Sequence, residues 1–262
     1  MTLRELVIIA IVYFTFFVLG LVFGSFFNVV GLRVPIGKSI ISPGSSCSNC
    51  GHKLSSLELI PVFSFLLKRG KCRSCGTLIS KLYLLIEILT GMLFVLSIYE
   101  TGFHKDLIIA LSIISLLIII VVSDVKYMII PNRILLIFLF IFSFERLLIP
   151  LDPWWSSIVG ALGAFVVLLL INLISKGGMG GGDIKLFSVL GIILGWKLTL
   201  IAFILACFSG SIYGLVVILS GKLKQRNPIP FGPFIAMGGL VSYFYSENLL
   251  EFCDIIFCLA DK

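Results

Sequence analysis

Charge is scarce in this sequence: of 262 residues only 13% are charged, whereas 59% are hydrophobic. Soluble domains carry about 25% charged residues, so a soluble globular fold is excluded. Histidine is scarcer still, with His52 and His104 the only two. Serine- or cysteine-hydrolase chemistry therefore lacks its usual base. There is no internal repeat, no disordered tail and no G-x-G-x-x-G fingerprint of a dinucleotide fold. The first apolar run, Leu6 to about Val30, has no small-residue cleavage site after it, so it is expected to stay in the protein as a span.

What the chain does have is apolar runs of about 20 residues, the length that crosses a bilayer core. Eight stand out, at about 6–30, 82–99, 107–123, 134–149, 157–175, 184–196, 198–219 and 232–246. The expected fold is all-α, a membrane protein of about eight transmembrane helices, with the sixth and seventh runs almost touching. Residues 31–81 form the one long connection, with Pro35, Pro43 and Pro61, several Gly and Ser, and four of the seven cysteines. They read as a small domain between the first span (1–30) and a transmembrane core (82–248). A C-terminal extension (249–262) follows, whose apolar stretch Phe252–Ala260 is too short to span and is assigned to the outer surface.

The net charge of +7 reflects topology. With these spans, 15 of the 20 Lys and Arg residues fall in one set of loops: Arg33, Lys38, Lys53, Lys68, Arg69, Lys71, Arg73, Lys81, Lys126, Arg133, Lys176, Lys185, Lys222, Lys224 and Arg226. Basic loops stay in the cytoplasm, which puts both termini outside and leaves the basic loops free to contact anionic membrane lipid. Nucleic acid need not be invoked.

Cys47-Ser-Asn-Cys50-Gly51 and Cys72-Arg-Ser-Cys75-Gly76 are two C-x-x-C-G knuckles, 21 residues apart. Each pair of thiolates can grip one face of a tetrahedral ion, and four sulfurs make a closed structural zinc site. Metal binding would then supply much of the folding energy of so small a segment. Redox-active or disulfide-bonded pairs are the alternative, disfavoured because thiols in a cytoplasmic loop stay reduced. His52 is either exposed or a substitute ligand. Cys207, Cys253 and Cys258 sit in apolar surroundings and read as inert.

Two carboxylates lie at span boundaries on the face the charges mark as cytoplasmic. Asp124 ends the third span, and Asp183 opens the sixth in Gly180-Gly181-Gly182-Asp183. Two carboxylates brought together share one proton, so one can act as base toward water while the other polarises a peptide carbonyl. The glycine run permits close backbone approach, and irregular backbone at membrane depth is tolerated only where it lines a cavity. Gly180, Gly181 and Gly182 are thus expected to open a substrate cavity beside Asp183. Read singly, Asp183 fits a helix N-cap before Ile184 and Asp124 a solvated boundary. Glu87, inside the second span, is either functional or a packing group bonded to Thr90. Gly91, one turn on, gives its face a point of close approach.

These features occur in an ordered set: Gly24-Ser-Phe-Phe-Asn28, Arg33-x-Pro35, the two knuckles, Glu58-Leu-Ile-Pro61, Glu87-x-x-x-Gly91, Asp124 followed by Ile130-Pro-Asn132, Gly180-x-Gly-Asp183 and Pro230-Phe-Gly-Pro-Phe234. In this the chain resembles the bacterial type IV prepilin peptidases, or leader peptidase/N-methyltransferases, along nearly its whole length. The resemblance implies an aspartic endopeptidase in the bacterial cytoplasmic (inner) membrane that cuts prepilins or pseudopilins after a Gly on the cytoplasmic side, serving pilus, secretion or competence systems. Asp124 and Asp183 match its catalytic pair. It also implies N-methylation of the new terminus with S-adenosyl-L-methionine, for which Glu87 and Gly91 are suggestive. Two rival readings are weighed against it. One is an ion or proton transporter using the aspartates, which the boundary position and lack of a repeat disfavour; the other is a stand-alone methyltransferase.

Overall fold

The computed structural model describes residues 2–47, 49–53, 55, 58, 60–221 and 229–251. The stretch Phe252–Ala260 with Cys253 and Cys258, and the basic residues Lys222, Lys224 and Arg226, lie outside the described residues. The chain divides into two compact units, Met1–Leu107 and Ile108–Lys262.

The described residues are all-α, and each apolar run is helical. The helices are α1 (Leu3–Arg33), α2 (Phe63–Leu67), α3 (Lys81–Thr101), α4 (Asp106–Tyr127), α5 (Asn132–Leu148), α6 (Ser156–Ile174), α7 (Gly181–Leu219) and α8 (Gly232–Phe244). Five of them, α1, α3, α4, α6 and α7, are long and apolar enough to cross a membrane, so the protein is a multi-pass membrane protein. α5, at 17 residues, and α8, at 13, are shorter.

The sixth and seventh runs are two helical segments, 181–194 and 196–219, that follow one another directly within α7 and are separated by a single non-helical residue, Gly195, where φ is 75° and ψ 173°. The bend leaves backbone carbonyls of the first half without their usual helical donors. Arg146 of α5 supplies substitutes, donating through Nε to the Ile193 carbonyl at 3.0 Å and through its terminal nitrogen to the same oxygen.

In the first unit, α1 and α3 pack through small residues, the usual way helices associate in lipid. A Cβ on Gly20 would lie 2.7 Å from the Gly91 Cα, and one on Gly24 would lie 2.9 Å from the Glu87 Cα. Asn28 donates from Nδ2 to the Tyr83 carbonyl at 3.2 Å. In the second unit, α4 is the most deeply buried of the candidate spans, as expected of a helix with no polar face. Ile109, Ile113, Ile114, Leu116, Leu117 and Ile120 are fully enclosed. α6 meets α7 backbone to backbone at Gly160 and Gly191.

Candidate active site

Asp124 occupies the last turn of α4 and is buried. The helix ends three residues later at Tyr127, and the next residue, Met128, turns the chain with a φ of 55°. Met128 N–H donates to the Asp124 carbonyl at 2.8 Å, and the Ser123 hydroxyl donates to the Ile129 carbonyl. The turn ends at Pro131, in extended conformation, which starts α5. The side chain of Asp124 points to the first turn of α8. Its Oδ2 accepts the Gly232 backbone N–H at 2.7 Å, a buried bond.

Asp183 lies in the first turn of α7, half-buried. The helix begins at Gly181 with Gly180 as its N-cap in extended conformation, so Asp183 is the third helical residue and not the cap itself. At that position a carboxylate can reach back to the cap backbone and favours the positive end of the helix dipole. Its Oδ2 lies where a Cβ on Gly180 would be only 2.8 Å away. Asp124 and Asp183 are within Coulombic reach of one another.

The glycine run is less irregular than its composition suggests. Gly181 and Gly182 are already helical, and the irregular backbone covers 175–180. The Asn172 side chain accepts Met179 N–H at 3.2 Å, and the Ser175 hydroxyl accepts Gly178 N–H at 3.1 Å. Gly182 packs on Ile130, where an added Cβ would meet the Ile130 Cβ at 2.9 Å. Lys185 Nζ donates to Asn132 Oδ1 at 3.0 Å. The α4–α5 turn and the start of α7 are therefore joined twice. Gly181, by contrast, faces open space.

The four cysteines converge in the first unit, with all sulfurs within 4.8 Å of one another, and the cluster can hold a metal ion. The two knuckles are built alike. Gly51 N–H donates to the Cys47 carbonyl and Gly76 N–H to the Cys72 carbonyl, each at 3.0 Å, and the two glycines have φ of 69° and 70°. That left-handed conformation favours glycine. Bonds from the Thr77 hydroxyl and backbone hold the Cys75 thiol down at about 5, and backbone bonds at Cys50 and Asn49 lower that of Cys47. Both are therefore predisposed to the thiolate form that binds metal. His52 does not join the cluster. Its Nε2 lies 3.5 Å from Oε2 of Glu58, which also pairs with Lys68 and accepts from Ser55 N–H at 2.8 Å. Lys68 and the Ser55 amide hold the Glu58 carboxyl down at about 2.

Glu87 is buried, and its Oε2 accepts Val62 N–H at 2.8 Å. The alternative bond to Thr90 is not made, because the Thr90 hydroxyl donates to the Ile86 carbonyl at 2.7 Å. Gly91 faces Phe17 of α1, 2.9 Å from where its Cβ would be. A further buried acid had escaped the sequence reading. Glu145 of α5 accepts from the Ser112 hydroxyl at 2.5 Å, and its Oε2 is buried without a partner. Its position inside the run 134–149 was the available signal, obscured by the adjacent Arg146.

Residues 18–101 match the family model of the bacterial peptidase A24 N-terminal domain, and residues 111–215 match that of the type IV leader peptidase family. A prepilin leader peptidase/N-methyltransferase of Bacillus subtilis (strain 168) is 44% identical over 236 residues, covering 90% of this chain and 95% of its own. One from Stutzerimonas stutzeri is 32% identical over 260 residues, covering 88% and 90%. One from Myxococcus xanthus (strain DK1622) is 34% identical over 217 residues, covering 80% and 65%. No solved structure gives a significant match.

Proposed function

The chain belongs to the type IV leader peptidase family, and from that premise we propose that it removes the leader peptides of prepilins or pseudopilins, with Asp124 and Asp183 as the catalytic pair. The observation that carries this reading is that the end of α4, which bears Asp124, and the start of α7, which bears Asp183, are tied together through the intervening turn by the Gly182–Ile130 and Lys185–Asn132 contacts. Such a pair hydrolyses a peptide without a covalent intermediate. One carboxylate takes a proton from water as its oxygen bonds to the scissile carbonyl carbon. The other, protonated, gives its proton to the carbonyl oxygen. The C–N bond then breaks as the leaving nitrogen is protonated, and both carboxyls return to their starting states. Open space at Gly181 supports entry of an extended leader beside Asp183.

The charge asymmetry supports a topology with both termini outside and with Asp124, Asp183 and the 31–81 segment in the cytoplasm. Zinc is the ion we assign to the cysteines. A tetrahedral site with Zn–S of about 2.3 Å has sulfurs about 3.8 Å apart, and Cys47–Cys75 and Cys50–Cys72 are 3.8 and 3.9 Å apart. With four sulfur ligands and no open position, the metal is structural. Methyl transfer from S-adenosyl-L-methionine follows from the family. Glu87 and Gly91 do not fit as its site, because Glu87 holds the Val62 amide and Gly91 is packed against Phe17. No step of that transfer is assigned to them.

The test is cleavage of a prepilin-like substrate by membranes bearing the wild type, Asp124→Asn or Asp183→Asn. Cleavage after the Gly by the wild type, with both variants folded and inert, is the expected result. Appreciable cutting by either variant removes that aspartate from the mechanism.

A further inference from the structure

Asp124 and Asp183 are held by different means, and the difference gives a third segment a part in the site. Asp183 sits in the first turn of its own helix. Asp124, at the C-terminal end of α4, has no such turn of its own to lean on. Its carboxylate is instead taken up by the start of another helix, α8, where Pro230-Phe-Gly-Pro-Phe234 brings the Gly232 amide to it. The first amides of a helix have no intrahelical acceptor, so they are free to bind an anion. Here the anion is an internal carboxylate 108 residues away in sequence.

The approach leaves no room for a side chain. A Cβ on Gly232 would lie 2.8 Å from Asp124 Oδ2, 3.0 Å from its Cβ and 3.2 Å from its Cγ. Gly232 is itself buried, and its φ is not in the left-handed region, so backbone conformation does not demand glycine here. The proximity of Asp124 does. With Oδ2 fixed by the amide, Oδ1 is the oxygen left to meet a water.

We propose that Gly232 is a positioning residue for proteolysis: its amide and its missing side chain orient the Asp124 carboxylate toward the water. This rests on the assignment of Asp124 and Asp183 as the catalytic pair. Displacement of a catalytic group by about 1 Å costs about 100-fold in rate, and it acts on turnover and not on substrate binding.

The experiment compares the full-length protein in membranes as wild type, Asp124→Asn, Gly232→Ala, and a form in which the amide at Gly232 is replaced by an ester. The ester removes the N–H donor and adds no atom. Initial rates on a prepilin-like substrate give kcat and KM, and the thermal midpoint in detergent reports folding. The expected result is a fall in kcat of about 100-fold for Gly232→Ala, a smaller fall for the ester, KM within twofold of wild type, and in the ester form a midpoint that drops by no more than the loss of one hydrogen bond and stays above the assay temperature. If Gly232→Ala does not fold, the ester form decides. Wild-type kcat in the ester form, a change in KM alone, or a kcat loss that merely tracks a lowered midpoint overturns the proposal. Inert Asp124→Asn beside fully active Gly232 forms defeats this inference only. Cutting by Asp124→Asn defeats the catalytic pair itself.

Discussion

Val62 has a φ of 61°, a conformation that costs a β-branched residue appreciable strain. It holds that conformation just after Pro61, with its N–H on the Glu87 carboxylate at 2.8 Å. Glu87 thus acts as a receptor for a strained turn that lies between the two knuckles, just before α2. The sequence marks Glu87 as an unusual acid in an apolar run, but its partner is a backbone amide 25 residues earlier, and no residue type signals that. A hydrogen bond to a charged group contributes about 1.5–3 kcal/mol. Glu87→Ala is therefore expected to lower stability by about that amount and to increase proteolytic nicking around residue 62, whereas Glu87→Gln keeps an acceptor and loses less. Urea or thermal unfolding in detergent, with limited proteolysis, checks both. Equal stability of Glu87→Ala and wild type would remove Glu87 from this role.

At the scale of the element, α7 is the informative helix. Its apolar composition reads as two runs with a brief interruption, and the structure breaks the helix there, at Gly195, where a single residue at φ 75°, ψ 173° redirects the chain without a loop. Nothing in the neighbouring residue types encodes that angle pair. The bend is held from outside by Arg146, which is why a basic residue stands at the end of an apolar helix. That backbone region is open essentially to glycine alone and costs other residues about 1–3 kcal/mol. An added Cβ would also meet the Ser156 Oγ at 2.5 Å. Gly195→Ala is expected to lower the thermal midpoint in detergent, and Arg146→Met to do so through the same carbonyl. Because the two act on one bend, the double variant should lose less than the sum. Full additivity would place Arg146 outside the bend's support.

For the molecule as a whole, the placement of the apolar helices was the most legible feature, since uncharged apolar runs are written directly in composition, whereas of the eight expected spans only five helices are long and apolar enough to cross a membrane. The cysteine cluster was nearly as legible, because its four thiols come as two local pairs with their glycines. The acid site was legible only in its two aspartates. What anchors Asp124 comes from α8, and the contacts joining α7 to the Ile130–Asn132 turn pair residues more than fifty positions apart. The cluster lends itself to direct measurement. Purified protein should carry about one zinc per chain, and Cys47→Ser or Cys72→Ser should carry much less. Chelation should make the four thiols reactive to a thiol reagent and the 46–78 segment sensitive to protease. Metal-free protein with protected thiols would contradict the zinc assignment. The bond from Gly232 to Asp124 also has a consequence in time. A ribosome that has just added Asp124 must add 108 more residues before the donor for its carboxylate exists. Both aspartates are thus already in the nascent chain while one is still unanchored, and α8, translated after both, is the helix that supplies the missing anchor.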